Sequence, residues 1–436
     1  MDPLVAFAVL TAVLLLLLIL IGYGIPVAFA LGLVGSLGAV IFLSPAHLEE
    51  MATIAFDNST NFVFVSVPLF ILMAELFVGG KLSSQLFDTA SRCFNRLPGA
   101  LAIASVVACA VFGGPCGSSA ATAASIGGPA IPEMLKHGYD KRLAAGVVAA
   151  GGTLGILIPP SIAMILFGVI NQVSIGQLYL AGILPGIMMT ILLSVAVALA
   201  ALRWPHLAPR IEDVTWSERI QSLRGAWPVA VLTAIVTVPI YTGIATPTEA
   251  AALGAGASLI YVIITPGLSW LRLSSALLNT VQVTAMIMFL LIGGFMLGFV
   301  MTSIGLPQSI SKFIATLDVN RWVVMILINL LFFLIARALD PLTIMVITMP
   351  VLFPVVVDLG FDPVWFGVIM TINFEIDNIL PPDGLNLLVL KGVAPPEVSI
   401  NDIILGSLPF VLVLILGMAI IMVFPEIALW LPRQLK

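Results

Sequence analysis

The sequence predicts an all-α polytopic membrane protein of two inverted-topology repeats, each with five spans and one re-entrant hairpin. Three observations carry this reading: the composition, the placing of the apolar runs, and a self-similarity at an offset of 222 residues. Of 436 residues, 61% are hydrophobic and 9% charged, against roughly 25% charged in soluble domains, and the mean hydropathy is +1.19. At roughly 20 apolar residues per membrane-spanning helix, the chain has room for about ten spans joined by short loops. The 17 Lys and Arg stand against 22 Asp and Glu, a net charge of -5 with no basic tract. That gives a nucleic-acid backbone nothing to bind. Cys93, Cys109 and Cys116 have neither paired spacing nor a neighbouring His cluster, which makes them small apolar packing residues.

The first apolar run, Leu4 to Ile21, follows Asp2 rather than a basic segment and meets no small-residue cleavage site. It is a membrane-spanning helix, not a signal peptide. Further runs lie at 25–43, 62–80, 143–170, 178–202, 226–243, 247–265, 281–302, 364–390 and 404–424. Two more stretches, 98–135 and 320–357, are broken in the middle, the first by Gly113-Gly114-Pro115-Cys116-Gly117-Ser118-Ser119 and the second by Arg337-Ala338-Leu339-Asp340-Pro341. Arms of roughly 15 residues are short for a hydrocarbon core of roughly 30 Å, so each stretch reads as a hairpin that enters and leaves on one side. Segment 44–60, with Glu49, Glu50, Asp57 and no Lys or Arg, reads as an outer loop. In 81–97, Leu82, Leu86, Phe87, Phe94 and Leu97 share a face opposite Lys81, Gln85, Asp88, Arg92 and Arg96, the pattern of a helix lying in the membrane interface. Its counterpart at 303–319 carries Ile310, Phe313, Ile314 and Leu317. Segment 203–225, with Arg203, Pro205, Pro209, Glu212, Asp213 and Arg224, reads as the linker between the repeats.

Moving the chain 222 positions along itself places Pro132, Gly138, Asp140, Pro159 and Pro160 on Pro354, Gly360, Asp362, Pro381 and Pro382. The repeats are then 1–215 and 220–436. An odd number of spans in each forces the second copy to insert upside down, an arrangement common in secondary transporters. With the N-terminus outside, the inner side receives Lys81, Arg92, Arg96, Lys136, Lys141, Arg142, Arg203, Arg210, Arg219, Arg224, Arg272 and Lys391, the greater part of the 17 basic residues. The positive-inside rule supports that orientation. Hairpin 98–135 then opens to the cytoplasm and hairpin 320–357 to the outside, which the resemblance given below makes the periplasm.

Polar contacts at span depth come from broken helices, whose freed backbone groups line a cavity instead of facing lipid. The chain breaks in four places. At the first hairpin tip Ser118 and Ser119 add hydroxyls near a helix N-terminus, where partial positive charge suits a carboxylate. At Ile158-Pro159-Pro160-Ser161 consecutive prolines remove amide donors and free carbonyls, groups able to replace the water around Na⁺. The repeat-related partners are Arg337 to Thr343 and Asp377 to Gly384. Arg337 and Asp340 either neutralise each other, or Arg337 contacts an anionic solute while Asp340 meets a cation or a helix N-terminus. Glu375, Asp377 and Asp383 cluster around the second Pro-Pro pair. Glu75 and Glu249 are single acids in or beside spans, for which an interhelical hydrogen bond is expected. His47, His137 and His206 fall in loops with no catalytic grouping, and no enzyme activity is expected.

Several stretches together resemble the large permease subunit of the tripartite ATP-independent periplasmic (TRAP) transporters. In the first half they are Phe112 to Gly127, Ile131-Pro132-Glu133-Met134, Gly138-Tyr139-Asp140 and Gly152-Thr153-Leu154-Gly155-Ile156-Leu157-Ile158-Pro159-Pro160-Ser161. In the second they are Thr246-Pro247-Thr248-Glu249-Ala250, Asp362-Pro363-Val364, and Pro381-Pro382 with Gly384-Leu385-Asn386-Leu387. The resemblance implies an elevator-type transporter in the bacterial inner membrane, driven by a Na⁺ gradient, with a periplasmic N-terminus and no cofactor beyond the coupling ion. It implies a small four-helix membrane subunit, expected on a separate chain because this one opens directly on its first span, and a soluble periplasmic binding protein. Cargoes of such systems are small organic anions: dicarboxylates, keto acids, sialic and sugar acids. Carried over by position, solute contacts fall at Ser118, Ser119, Ser161, Arg337 and Asn378. Na⁺ contacts fall at Cys116, Ser119, Gly152, Gly155, Pro159, Asp340, Asp377 and Leu380. The chain departs from the family pattern where Cys116 replaces Ser, Asp377 replaces Gly, Leu380 replaces Thr, Asp383 replaces Val and Trp365 replaces His. Alternatives are a stand-alone anion transporter that needs no binding protein, an intramembrane enzyme, which would need a nucleophile–base pair or metal ligands at span depth, and a passive channel.

Overall fold

The computed structural model describes residues 3–78, 82–210, 215–265, 270–317, 319–337, 339–382 and 384–434. Asp2, Lys81, Glu212, Asp213, Ala338 and Asp383, all used in the sequence reading, lie outside them. The described residues form helices and turns without a strand.

The first half runs α1 (Pro3–Gly22), α2 (Val27–Gly38, extended by a π-turn over Ala39–Leu43), α3 (His47–Ser59), α4 (Ser66–Val78), α5 (Leu82–Phe94), α6 (Ala100–Cys116), α7 (Ser119–Lys136), α8 (Lys141–Leu157), α9 (Ile162–Ile170) and α10 (Ile175–Arg203). The second half runs α11 (Trp216–Tyr241), α12 (Pro247–Ile264), α13 (Trp270–Ser303), α14 (Leu306–Thr316), α15 (Arg321–Ile335), α16 (Pro341–Asp358), α17 (Pro363–Asp377), α18 (Leu385–Val393), α19 (Ile400–Val423) and α20 (Glu426–Gln434). Among the described residues, α10, α11, α12, α13, α16 and α19 are each long and apolar enough to cross a membrane, and two bent pairs, α3 with α4 and α8 with α9, raise the number to eight. That α16 passes although it was read as a hairpin arm means that length alone does not separate an arm from a span. Ile187, Ile191, Val195 and Leu199 lie exposed along one stripe of α10, an apolar surface suited to lipid tails.

Both stretches expected to break do so: α6 and α7 meet at Gly117, and α15 and α16 at Arg337 to Asp340. Four expectations need correction. Segment 44–60 holds a helix, α3, because Met51 packs with Ala39 and Val300 and with the half-buried Leu48. Its three acids hide that apolar stripe in the composition. The linker is shorter than 203–225, since α11 starts at Trp216 behind a capping box in which Thr215 Oγ1 accepts from Glu218 N–H and Glu218 accepts from Thr215 N–H. Leu82, Leu86 and Phe87 are buried on α5 as expected, but Leu97 is exposed because the helix ends at Phe94. Glu249 makes the same kind of box with Thr246 at the start of α12, so its carboxylate is spent within its own first turn and not between helices. Glu75 does bond across helices, accepting from Asn279 Nδ2 at 3.4 Å.

Contacts divide the chain into two compact units, each drawing on both halves of the sequence. The first comprises Met1–Val65, Leu166–Val173 and Val281–Phe366. In it α14 packs on α1 and α16, and Phe167 meets Phe353 and Phe366 edge-on. Trp322, Phe361 and Trp365 form an aromatic cluster capped by the Arg321 guanidinium.

The second unit comprises Ser66–Ile165, Ser174–Thr280 and Gly367–Lys436, and α8 runs through it packed on α6, α7, α10 and α19. A helix that starts Lys141-Arg142 opposes its own dipole. Asp140 corrects this as the N-cap, accepting from Arg142 N–H and Leu143 N–H at 2.9 and 3.2 Å. Asp402 on α19 then pairs with Lys141 at 2.9 Å and Arg142 at 3.5 Å. Below that clamp the backbones touch: a Cβ on Gly146 would lie 2.0 Å from Gly406 O, and one on Gly406 would lie 1.9 Å from Arg142 O.

Because the neighbour at Gly146 is backbone, Gly146→Ala should cost about 1–3 kcal/mol through forced separation of α8 and α19. Gly256→Ala on α12, where nothing lies within 4 Å, should be neutral or gain up to about 1 kcal/mol from helix propensity. Thermal unfolding of the two variants in detergent reads the difference, and equal melting temperatures would contradict the packing argument.

Candidate functional site

The first hairpin tip is shaped by one left-handed residue. Gly117 has φ 61°, and its N–H bonds Gly113 O at 2.7 Å to close α6. Ser118 follows as the N-cap of α7, its hydroxyl accepting from Ala121 N–H at 3.4 Å. A Cβ on Gly117 would lie 3.0 Å from Pro160 O, so the tip rests directly on the first Pro-Pro break. There α8 ends at Leu157 and α9 resumes at Ile162, with Ser161 Oγ accepting from Met164 N–H at 3.4 Å. Pro159 and Pro160 carry no N–H, which deprives the carbonyls of Gly155 and Ile156 of their helical partners.

Glycines let these elements close on one another. A Cβ on Gly113 would lie 2.6 Å from Gly155 Cα, and one on Gly152 would lie 2.6 Å from Ala123 Cβ. One on Gly155 would meet Thr122 Oγ1 at 2.6 Å and Ser118 O at 3.0 Å. The Cys116 thiol is buried beside Thr122 and the Ser118 backbone. Thr122 Oγ1 itself is buried beside that thiol, with no oxygen or nitrogen partner among the described residues. A buried hydroxyl so placed normally costs stability, which makes this position, packed on Gly155 next to the first Pro-Pro break, a candidate for a ligand. In this cradle the oxygens packed against Gly155 are Thr122 Oγ1 and Ser118 O, the latter accepting from Thr122 N–H at 3.1 Å. Neutral oxygens of this kind suit a hard monovalent cation.

The second Pro-Pro break belongs to the same unit and is tied to this cradle by a residue that the sequence reading quoted only as part of a motif. Asn386, fully buried, accepts from Ser119 Oγ–H through Oδ1 at 2.8 Å and donates from Nδ2 to Ala149 O at 2.9 Å. Its backbone N–H reaches Asn378 O at 3.0 Å, the carbonyl that Pro382 leaves without a helical donor. The Asn378 side chain turns back onto Phe374 O at 2.7 Å, and Ser407 Oγ–H bonds Ile379 O at 3.2 Å. A polar side chain inside the apolar run that follows Pro-Pro-x-Gly was the available signal for Asn386. Glu375, also fully buried, has Thr153 as its polar neighbour, whose hydroxyl donates to Ala150 O at 2.8 Å. Asp377 and Leu380 are half-buried at the end of α17 and the turn after it, with Leu380 N–H on Asp377 O at 3.1 Å.

Cys116, Ser118, Ser119, Gly152, Gly155, Pro159, Ser161, Asp377, Asn378 and Leu380 therefore all fall in the second unit. Arg337 and Asp340 fall in the first. Asp340 is the N-cap of α16: Oδ1 accepts from Leu342 N–H and Thr343 N–H, each at 3.1 Å, and Oδ2 accepts from Thr343 Oγ1–H at 2.5 Å. Of the alternatives open from the sequence, its contact is with a helix N-terminus. Arg337 is exposed, and no ion pair joins it to Asp340 among the described residues. The described residues contain no group of three or more His, Cys, Asp or Glu side chains placed to hold a metal ion.

The family model described as "Tripartite ATP-independent periplasmic transporter, DctM component" matches residues 13–427. The C4-dicarboxylate TRAP transporter large permease protein DctM of Pseudomonas aeruginosa is 34% identical over 407 residues, covering 93% of this chain and 94% of that protein. The ectoine/5-hydroxyectoine TRAP transporter large permease protein UehC of Ruegeria pomeroyi is 31% identical, covering 96% of each. Among solved structures, the Alcanivorax borkumensis YdaH transporter aligns over 90% of both chains with a TM-score of 0.62 at 17% identity, a likeness of fold alone. Matched over nearly its whole length, this multi-pass, all-helical chain belongs to the large permease (DctM) family of tripartite ATP-independent periplasmic transporters.

Proposed function

We propose that this chain is the inner-membrane permease of a Na⁺-driven uptake system for a small organic anion delivered by a periplasmic binding protein, with a small four-helix membrane subunit as its partner. The buried Thr122 hydroxyl, which faces Gly155 without an oxygen or nitrogen partner among the described residues, carries this reading. It sits where two prolines free the carbonyls of α8, and a Na⁺ ion there would satisfy hydroxyl and carbonyls together. Adjacent to it, the N-terminus of α7 offers a carboxylate the partial positive charge of a helix end. Ser118 and Ser119 are the nearest hydroxyls for the solute, and Ser161, Asn378 and Arg337 are further candidates. Asp377 stands in the second half-site where Leu380 has lost the family's hydroxyl, and its carboxylate is our candidate for the charge on a second cation. Asp340 is a candidate through its backbone, its side chain being spent on capping. Relatives named for a C4-dicarboxylate and for ectoine are 34% and 31% identical to this chain, a difference too small to select the solute.

The reading includes two inverted repeats, 1–215 and 220–436, with the N-terminus in the periplasm. Supporting it, α7 and α16 start and end at the same phase of the 222-residue offset. Gly138 and Gly360 have φ of 76° and 78°. Asp140 and Asp362 each cap the following helix through the second and third amides beyond them. In an elevator motion α5 and α14, the amphipathic helices before each hairpin, serve as arms linking a scaffold to the moving part.

The coupled reading is tested in proteoliposomes holding both membrane subunits, with the binding protein outside. An inward Na⁺ gradient should drive accumulation of a bound carboxylate, and Thr122→Val should raise the Na⁺ needed for half-maximal uptake about fivefold, the factor of one neutral hydrogen bond. Accumulation without Na⁺ would contradict the coupling, and accumulation without the binding protein would favour a stand-alone transporter. For the topology, single cysteines replace the exposed pair Lys136 and Asp358 in a Cys93→Ser background, where Cys109 and Cys116 remain buried. A membrane-impermeant thiol reagent on intact cells should label the Asp358→Cys protein and spare the Lys136→Cys protein. Equal labelling would contradict the inversion.

A further inference from the structure

We infer that Asn386 is a positioning residue that makes the two broken-helix half-sites act as one, by fixing the lone pairs of Ser119 with the same side chain that is locked to α8. The inference rests on the Na⁺-coupled reading above and goes beyond it, since no contact between Asn386 and a solute or an ion is involved.

The direction of each hydrogen bond is dictated by chemistry. Ala149 O can only accept, so the group facing it at 2.9 Å is the amide Nδ2 of Asn386. Oδ1 is then turned to Ser119, whose hydroxyl must donate at 2.8 Å. A serine hydroxyl has one hydrogen and two lone pairs. With the hydrogen committed to Asn386, both lone pairs of Ser119 are left for a ligand at the first hairpin tip. An Asn386 whose amide was reversed would meet Ala149 O with an oxygen, so the orientation has no low-energy alternative.

The other end of Asn386 serves the second break. Its N–H is the donor for Asn378 O at 3.0 Å, in place of the amide that Pro382 lacks. Gly384, which precedes it by two positions, allows this return, because a Cβ there would lie 2.8 Å from Asn378 O. The helix that begins beyond it, α18, is pressed against α7, where a Cβ on Gly127 would lie 2.5 Å from Leu390 Cδ2. One buried residue therefore joins the first hairpin, the body of α8 and the second break. A shift of the second break on ion or solute binding reorients Ser119, and the converse follows by linkage.

An asparagine that merely packs helices together would show none of this selectivity, and a double-mutant cycle separates the two. Asn386→Leu keeps the volume and removes both side-chain bonds, while Asn386→Asp keeps an acceptor for Ser119 and, with its carboxyl protonated, a donor for Ala149 O. Na⁺ activation of uptake is measured for the parent, Ser119→Ala, each Asn386 variant and the combinations. In the parent background Ser119→Ala should raise the half-maximal Na⁺ concentration about fivefold, again the factor of one hydrogen bond. In Asn386→Leu it should change that value less than twofold, and the Na⁺ dependence should be less steep than in the parent. In Asn386→Asp, Ser119→Ala should keep its full effect, which supplies the test if the Leu variant fails to fold. The same fivefold loss in parent and Leu backgrounds, or its disappearance in the Asp background, would overturn the inference while leaving Na⁺ coupling intact. A parent protein indifferent to Na⁺ would overturn the coupled reading and this inference with it.

Discussion

The approach of α8 to its neighbours at backbone distance is the constraint from which the candidate site follows. Gly146 on Gly406, Gly152 on Ala123 and Gly155 on Gly113 leave no room for a side chain, and the last two bring the first hairpin tip against the end of α8. Only at that range do Ser118 O and Thr122 Oγ1 come against Gly155, about one turn before the Pro159-Pro160 break. Dispersion between close backbones, together with the desolvated hydrogen bonds of Asn386, holds helices together where lipid provides no hydrophobic drive for association. The charged clamp of Lys141 and Arg142 on Asp402 secures the far end of α8.

Polar groups in this unit divide by whether they are spent. Capping consumes Thr246, Glu249, Ser399, Asp402 and Asp140, all at helix ends where orphan amides need acceptors. Asn378 is consumed by its own helix. Thr122 is left with its hydroxyl directed at Gly155, and Glu375 with a buried carboxyl beside Thr153. Spent groups stabilise the fold, and among the unspent ones, which include Ser125 and Ser258, Thr122 is singled out by its place against Gly155 and the first Pro-Pro break.

Much of the fold was legible because membrane insertion writes strong signals. The Pro-Pro pairs and Gly-x-Asp before each broken span fall where the structure places element boundaries, whereas the apolar runs find helices but not their polar starts: α13 begins at Trp270 rather than 281 and α11 at Trp216 rather than 226. What the sequence hid was whatever depends on partners distant in the chain or on competition within one turn. The acids of α3 concealed a stripe that packs through Met51. Glu249 looked like a lone intramembrane acid, yet Thr246, three residues earlier, completes a capping box visible in retrospect as Thr-x-x-Glu. Asp340 reads as a possible ion ligand until the amides of Leu342 and Thr343 are seen to claim it. Asn386 lies 267 residues from Ser119, and no local pattern announces such a bond.

The central claim is that backbone contact at Gly155 creates the ion cradle. Equilibrium binding of radiolabelled Na⁺ to purified protein tests it, comparing the parent with Gly155→Ala and with Gly256→Ala. A methyl at Gly155 would intrude on Thr122 Oγ1 and Ser118 O, so the account predicts that Gly155→Ala loses binding while Gly256→Ala retains it. Parent-like Na⁺ binding by a folded Gly155→Ala protein would contradict the account.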